Sequence, residues 1–239
     1  MLAIDIENFD KVDSTNDQAM RQIESGKIVK DKILIARLQT NGHGSKGRNF
    51  ISDNDVGMYF TYIHFYNVSD KLSFITQKAA VAVYKTFKNI FNIELGIKWI
   101  NDLYFNNKKV AGILCRNSIK HKAVIIGIGI DLFYNKDLDN SISDIAGYIF
   151  SNPDELILKL DENCNLNKNS NIYNDIHDSF YNKKIYASDD KEKWNPNYLA
   201  SDIVNNLMKD MDYKGLPEIY IEKNIIKDGR VYEDCDLEC

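Results

Sequence analysis

The chain has 239 residues, 44% hydrophobic and 27% charged, with a net charge of −5 at pH 7. This is enough apolar side chain for one large domain, or a domain with a small appendage, and it excludes a disordered polymer. The acidic balance argues against a general polyanion binder, and no apolar run approaches the roughly 18–20 residues that span a bilayer.

The opening stretch MLAIDIENFDKVDST lacks the basic and apolar regions of a signal peptide, so a cytoplasmic location is the expectation. Asp13-Ser14-Thr15-Asn16 reads as a helix N-cap, with a short helix running to about Ser25 and Gly26 as its stop. KILIARL (32–38) reads as a buried strand, and after a glycine-rich loop GMYFTYIHFY (57–66) reads as a second. From Asp70 the period changes. Leu72, Ile75, Ala79, Ala82, Val83, Phe87 and Ile90 recur at helical spacing, which predicts a long amphipathic helix behind the sheet.

Four strand candidates follow at 94–100, 103–105, 109–115 and 123–133, with Asn106-Asn107 as a hairpin turn between the second and third. Hairpins in place of βαβ repeats predict an α+β fold with a mixed or largely antiparallel sheet. Beyond about residue 134 the pattern weakens. Residues 161–195 read as loops with short helical pieces, Pro196 opens a helix to Met211, and the last residues read as a hairpin. The expected organisation is therefore a main domain over 1–212 and a short β appendage over 213–239.

Four cysteines (Cys115, Cys164, Cys235, Cys239) form no C-x-x-C pair. Four histidines (His43, His64, His121, His177) are scattered, so neither a zinc site nor a Cys-His nucleophile is indicated. QTNGHGSKGRNF (39–50) contains G-x-G-x-x-G at Gly42, Gly44 and Gly47. A dinucleotide turn requires a helix opening at the glycines and an acidic residue ending the next strand. RNFISDNDVG follows instead, with no helical period, and no Gly-Lys-Ser/Thr marks a Walker A loop. What remains is a glycine loop between two strands, with Lys46 and Arg48 able to reach an anion or to sit on a polar surface. Downstream, Lys98, Asn101, Asp102 and Lys109 are polar within strands that otherwise read as buried, with Lys98 and Ile100 alternating against Trp99. Buried charge is costly unless paired or used, so this cluster reads as a phosphate-and-metal site or as a salt-bridged strand rim.

Four motifs then occur in one order: D-S-T-N (13–16), Q-T-x-G-x-G-x-x-G-R (39–48), K-W-x-N-D-L-Y…K-K-V-A-G-I-L (98–114) and I-G-I-G-I-D-L (126–132). In these the sequence resembles the biotin protein ligase family, strongly over about residues 8–135 and weakly beyond. The resemblance implies a catalytic domain like that of class II aminoacyl-tRNA synthetases. It also implies a two-step reaction in which biotin and MgATP give biotinyl-5′-AMP and the biotinyl group passes to a lysine of a biotin carboxyl carrier domain. It further implies that Ser14, Thr15, Asn16, Gln39, Gly42, Gly44, Lys109 and Gly112 bind biotin. Arg48, Phe50, Lys98, Asn101, Asp102, Gly127, Gly129 and Asp131 would bind the nucleotide. Lys109, Arg48 and Asp102 would carry the chemistry, with Asp102 also a candidate Mg²⁺ contact.

Several positions depart from the family pattern. His43 and Ser45 stand where arginines are common, Phe50 for Trp, Asp131 for Asn and Ile100 for Pro. The loop changes predict weaker retention of the adenylate. Only about a dozen residues precede the first motif, so a form without a DNA-binding domain is expected, and a homodimer is a common arrangement of this fold. A lipoate or octanoate ligase or transferase of the same fold, and a non-catalytic biotin-binding protein, are the competing expectations.

Overall fold

The apolar run Lys32–Gln39 (β2) and the aromatic run Gly57–Phe65 (β3) are buried on both sides, which marks them as central strands. The computed structural model describes residues 4–52, 56–67, 72–98, 100–135, 144–164 and 196–211. In chain order the elements are β1 (Asp5–Val12), α1 (Thr15–Glu24), β2, β3, α2 (Ile75–Phe91), β4 (Gly96–Lys98), β5 (Asp102–Phe105), β6 (Lys108–Ser118), β7 (Ala123–Asp131), α3 (Pro153–Cys164) and α4 (Asn197–Met211). They build a seven-stranded sheet in the order β1-β2-β3-β7-β6-β5-β4. Only β1 and β2 run parallel, and every other pairing is antiparallel. The α+β expectation with a mixed, largely antiparallel sheet is met.

One face of the sheet carries the main core. Ile33, Ile35, Tyr62, Ile126, Ile128, Ile130, Ala111 and Ile113 point toward α2, α3 and α4. α2 and α4 pack together and are also joined by polar contacts. Lys85 pairs with Asp210 at 2.6 Å, Thr86 donates to Asp202 at 2.7 Å, and the buried Lys78 ammonium caps the Met211 carbonyl at 3.1 Å. On the opposite face a smaller cluster of Ala19, Ile23, Leu34, Ile63 and Ile125 packs α1 against one end of the sheet. The other end of that face is open, and the site lies there. No helix among the described residues is long and apolar enough to cross a membrane.

Several expectations shift. The sequence pattern does not predict β1, and the exposed strand is held at the edge through Lys32–Glu7 (3.0 Å) and Arg37–Asp10 (2.7 Å). α2 begins at Ile75, five residues after Asp70, with Phe74 in the left-handed region at φ +59°. β4 ends at Lys98 and Ile100 sits in the turn beyond it, so the predicted alternation through residue 100 does not extend that far; Trp99 lies outside the described residues. α3 forms where the sequence pattern is weak. Asn152 accepts from the Glu155 amide at 2.9 Å and Pro153 opens the first turn. The hairpin turn is as predicted, with Asn106 and Asn107 both at positive φ (+49° and +63°). α4 closes at Met211, and the expected tail hairpin and appendage fall outside the described residues.

Candidate functional site

The open face is built by alternation. In I-G-I-G-I-D (126–131) the isoleucines enter the main core, while Gly127, Gly129 and Asp131 face the site. Strand register sets two rows across that face. Lys98, Asp102, Gly112, Gly129 and Tyr59 lie side by side on β4, β5, β6, β7 and β3, and Leu114, Gly127 and Thr61 form the next row.

Lys109 reaches this face through an irregularity. Simple alternation back from Ala111 would place it on the core side. The register of β5 against β6 shifts between Leu103 and Tyr104, so Val110 and Ala111 are both buried in the main core and Lys109 turns to the side of Gly112. Its Nζ lies 2.7 Å from Asp102 Oδ1. The contact is an ion pair, without the alignment of a good hydrogen bond. The Lys109 backbone, released from the ladder, pairs with the passing segment: its amide donates to the Ile145 carbonyl and its carbonyl accepts from the Gly147 amide, both at 2.8 Å.

The glycines make room for two side chains. An added Cβ on Gly129 would stand 2.6 Å from the Phe50 ring, and one on Gly112 3.3 Å from that ring and 3.3 Å from Lys109 Nζ. A Cβ on Gly127 would collide with the Asn16 amide. Phe50 therefore lies flat over the Gly112–Gly129 pair, edge-on to Tyr59 with centroids 6.1 Å apart. Asn16 lies over Gly127 and donates to the Leu114 carbonyl at 3.2 Å.

The start of α1 and the end of β2 wall one side. Ser14 caps the helix by accepting from the Asp17 amide. Gln39 Oε1 accepts from the Thr15 amide (2.8 Å) and hydroxyl (3.1 Å), while Gln39 Nε2 donates to Ser52 Oγ at 3.0 Å. Thr61 donates toward Asn16 Oδ1 at 2.7 Å and stands 2.8 Å from Thr15 Oγ1. Each of Ser14, Thr15, Asn16 and Gln39 is buried, and the network fixes their rotamers.

The glycine loop folds over this wall as a small hairpin. The Gly44 amide donates to the Arg48 carbonyl (2.7 Å) and the Phe50 amide to the Gly42 carbonyl (2.9 Å), around a 3₁₀ turn at Ser45–Gly47 with Gly47 at φ +71°. Arg48 is exposed and donates within the loop to Ser45 Oγ at 3.0 Å. His43 Nε2 meets Asp17 Oδ2 at 2.7 Å, and Arg116 of β6 meets Asp17 Oδ1 at 2.5 Å. Burial works against the Asp17 charge, but Arg116 and His43 outweigh it and hold the carboxyl below the usual range.

Two cavities result. A narrow one of about 40 Å³ is lined by Ser14, Thr15, Asn16, Gln39, His43, Asn101 and the backbones of Gly112, Gly127 and Gly129. A wide one of about 520 Å³ carries Arg48, Lys98, Lys108, Asp102 and Asp131, with Tyr59, Tyr104, Phe133, Tyr134 and Tyr148. Gly44, Ser45, Phe50 and Lys109 line both. Burial pushes the Asp131 carboxyl up to about 7, with the Lys109 charge pulling the other way. Among the described residues no group of three or more His, Cys, Asp or Glu side chains is arranged to hold a metal ion alone.

The predicted site residues thus converge on one face, with some redistribution. Asn101, Gly127 and Gly129, expected at a nucleotide, line the narrow cavity, where Asn101 Nδ2 donates to the Ile113 carbonyl at 2.9 Å. Gly42 lines neither cavity. A Cβ there would stand 2.6 Å from Ser52 Oγ, so Gly42 serves the loop's fold. Thr61, Ser52, Asp17 and, in the wide cavity, Tyr59, Tyr134 and Tyr148 are not singled out by the sequence pattern, while Tyr104 and Lys108 stand in the third motif with no role given to them. Thr61 alone has a readable signal, as a hydroxyl in an otherwise apolar strand core.

Fold and site together define an α+β domain whose glycine-floored face carries two cavities that share Gly44, Ser45, Phe50 and Lys109. The chain belongs to the Biotin/lipoate A/B protein ligase family, whose model matches residues 9–132. The bifunctional ligase/repressor BirA of Bacillus subtilis is 29% identical over 146 residues, covering 56% of this chain and 45% of the relative. That of Escherichia coli is 25% identical over 125 residues, covering 51% and 38%. The chain therefore spans about half, or less, of the length of these curated relatives. The fold matches the biotin protein ligase of Leishmania major solved with biotin (TM-score 0.63, 18% identity, 98% of this chain and 87% of that one). It also matches that of Aquifex aeolicus solved with biotin and ATP (TM-score 0.58, 23% identity, 87% and 72%).

Proposed function

We propose that this chain is an ATP-dependent biotin protein ligase that attaches biotin to one lysine of a biotin carboxyl carrier domain through biotinyl-5′-AMP. The observation that carries this reading is the place of Lys109. Among the Lys, Arg, Asp and Glu side chains lining the two cavities, it is the one that lines both.

The narrow cavity suits the polar bicycle of biotin, because Ser14, Thr15, Asn16 and Gln39 offer both donors and acceptors at a buried wall. Lipoate's dithiolane has no such groups, and this favours biotin over the related acid. The wide cavity has the volume and the cations for MgATP: Arg48 and Lys98 would meet phosphate, Asp102 would hold its magnesium ion, and Asp131 would meet the nucleotide.

Lys109 then holds the biotin carboxylate against the α-phosphate. The carboxylate oxygen attacks phosphorus and pyrophosphate leaves. In the second step the carrier lysine amine attacks the acyl carbon, AMP leaves and an amide forms. A carboxylate is already ionised at neutral pH, so the first step needs positioning and charge stabilisation and no protein nucleophile. Asp102, paired with Lys109, is the candidate to take the proton of the incoming amine. Biotin-dependent ATP–pyrophosphate exchange, run beside lipoate, tests the assignment. Exchange with lipoate and none with biotin would replace it by a lipoate ligase, and labelling of a carrier domain completes the test.

A further inference from the structure

One carboxylate outside the family motifs stands on α1 and joins it to the glycine loop and to β6, all three of which contribute to the narrow cavity. Asp17 stands in the first turn of α1, directly after Thr15 and Asn16, where its charge also favours the helix N-terminus. One of its oxygens takes His43 from the glycine loop (2.7 Å) and the other takes Arg116 from β6 (2.5 Å). Arg21 lies within Coulombic range further along the same helix, turned to Asp13. His43, Asp17 and Arg116 are all partly shielded, with side-chain exposures of 29%, 27% and 35%. These pairs are therefore less screened than open surface pairs.

The loop needs such a tether. Its internal hydrogen bonds fold the hairpin but do not orient it on the sheet. Its base is fixed where the Thr40 and Asn41 amides donate to the Val12 and Asp13 carbonyls (2.9 and 2.8 Å). Phe50 fixes its returning arm on the glycine floor, and His43 fixes its outgoing arm on α1. The His43 side chain lines the narrow cavity, yet its ring nitrogen is directed to the protein's own carboxylate and not to an incoming phosphate.

We infer that Asp17 is a positioning residue of the site, holding the glycine loop through His43 over the narrow cavity before any ligand arrives and bracing it through Arg116. The inference rests on the biotinyl-adenylate reading for its catalytic consequence, slower loss of the intermediate. The loop geometry itself stands apart from that reading.

The test compares the full chain with its Asp17→Asn, Asp17→Glu and His43→Gln variants in two assays. Amide hydrogen exchange of residues 42–50 in the ligand-free protein reads the tether without reference to any activity. Asp17→Asn and His43→Gln are expected to speed that exchange about three- to tenfold, the scale of one lost hydrogen bond to a carboxylate, with amides of β3 unmoved. Asp17→Glu, which keeps the charge, recovers part of the protection. Release of preformed biotinyl-AMP is expected to quicken by a similar factor. Unchanged loop exchange in both Asp17→Asn and His43→Gln overturns the inference. If wild type makes no adenylate, the ligase reading fails while the exchange measurement still decides the tether. If Asp17→Asn does not fold, His43→Gln, at the loop end of the pair, decides the same question.

Discussion

Asp131 ends β7 on the site face, half-buried beside Lys109, and its carboxyl is raised to about 7 by burial. An unfolded chain ionises the same group near its ordinary value, 3.8. Between those values the folded state binds more protons than the unfolded state, so stability falls as pH rises through the interval and levels off above about 7. From pH 5 to pH 8 the native carboxyl crosses roughly two pK units of that window, a ceiling of ~3 kcal/mol at about 1.4 kcal/mol per unit. Partial exposure reduces this, and we expect ~1–2 kcal/mol. Asp131→Asn keeps the shape and removes the titration. Urea unfolding of both proteins at pH 5 and pH 8 should show the stability difference moving toward the variant by that amount as pH rises. A difference that is the same at both pH values, or that moves toward wild type, would refute the assignment of a desolvated carboxylate at the cavity wall.

Gly129→Ala places a methyl 2.6 Å from the Phe50 ring and must lift it from the glycine floor. Calorimetric titration with biotin should show at least tenfold weaker binding, with a stability loss of ~1–3 kcal/mol from overpacking. Asn206 donates at 3.0 Å to both Thr86 and Asp202 between α2 and α4. Asn206→Ala should cost ~1–3 kcal/mol in denaturant unfolding, while exchange activity at saturating substrate stays at wild type because the seam is on the far face of the sheet.

The parts legible in sequence are those with a period or a motif. The apolar runs of β2, β3 and β7, the stripe of α2 and the Asn106-Asn107 turn all announce themselves by local chemistry. β1 does not, because an edge strand paired through Asp5, Glu7 and Asp10 to the basic residues of β2 looks like a polar loop. α3 has a readable start in Asn152-Pro153-Asp154-Glu155, but its exposed Leu158 dilutes the stripe. At the site, motif residues converge as the strands predict. Lys109 does so through a register shift that no single-sequence alternation contains. Tyr59, Tyr134 and Tyr148 of the wide cavity and Asp17 are invisible for another reason: they come from separate segments and meet only in the folded chain.

Lys109 is the charge that joins the two cavities, and the proposed chemistry depends on it. Lys109→Met keeps the length and apolar stem and removes the ammonium. Biotin-dependent ATP–pyrophosphate exchange should fall at least a hundredfold, about 3 kcal/mol of lost charge stabilisation, in protein shown by circular dichroism to remain folded. Exchange at the wild-type rate in folded Lys109→Met would contradict the role given to this residue and, with it, the reading of the site.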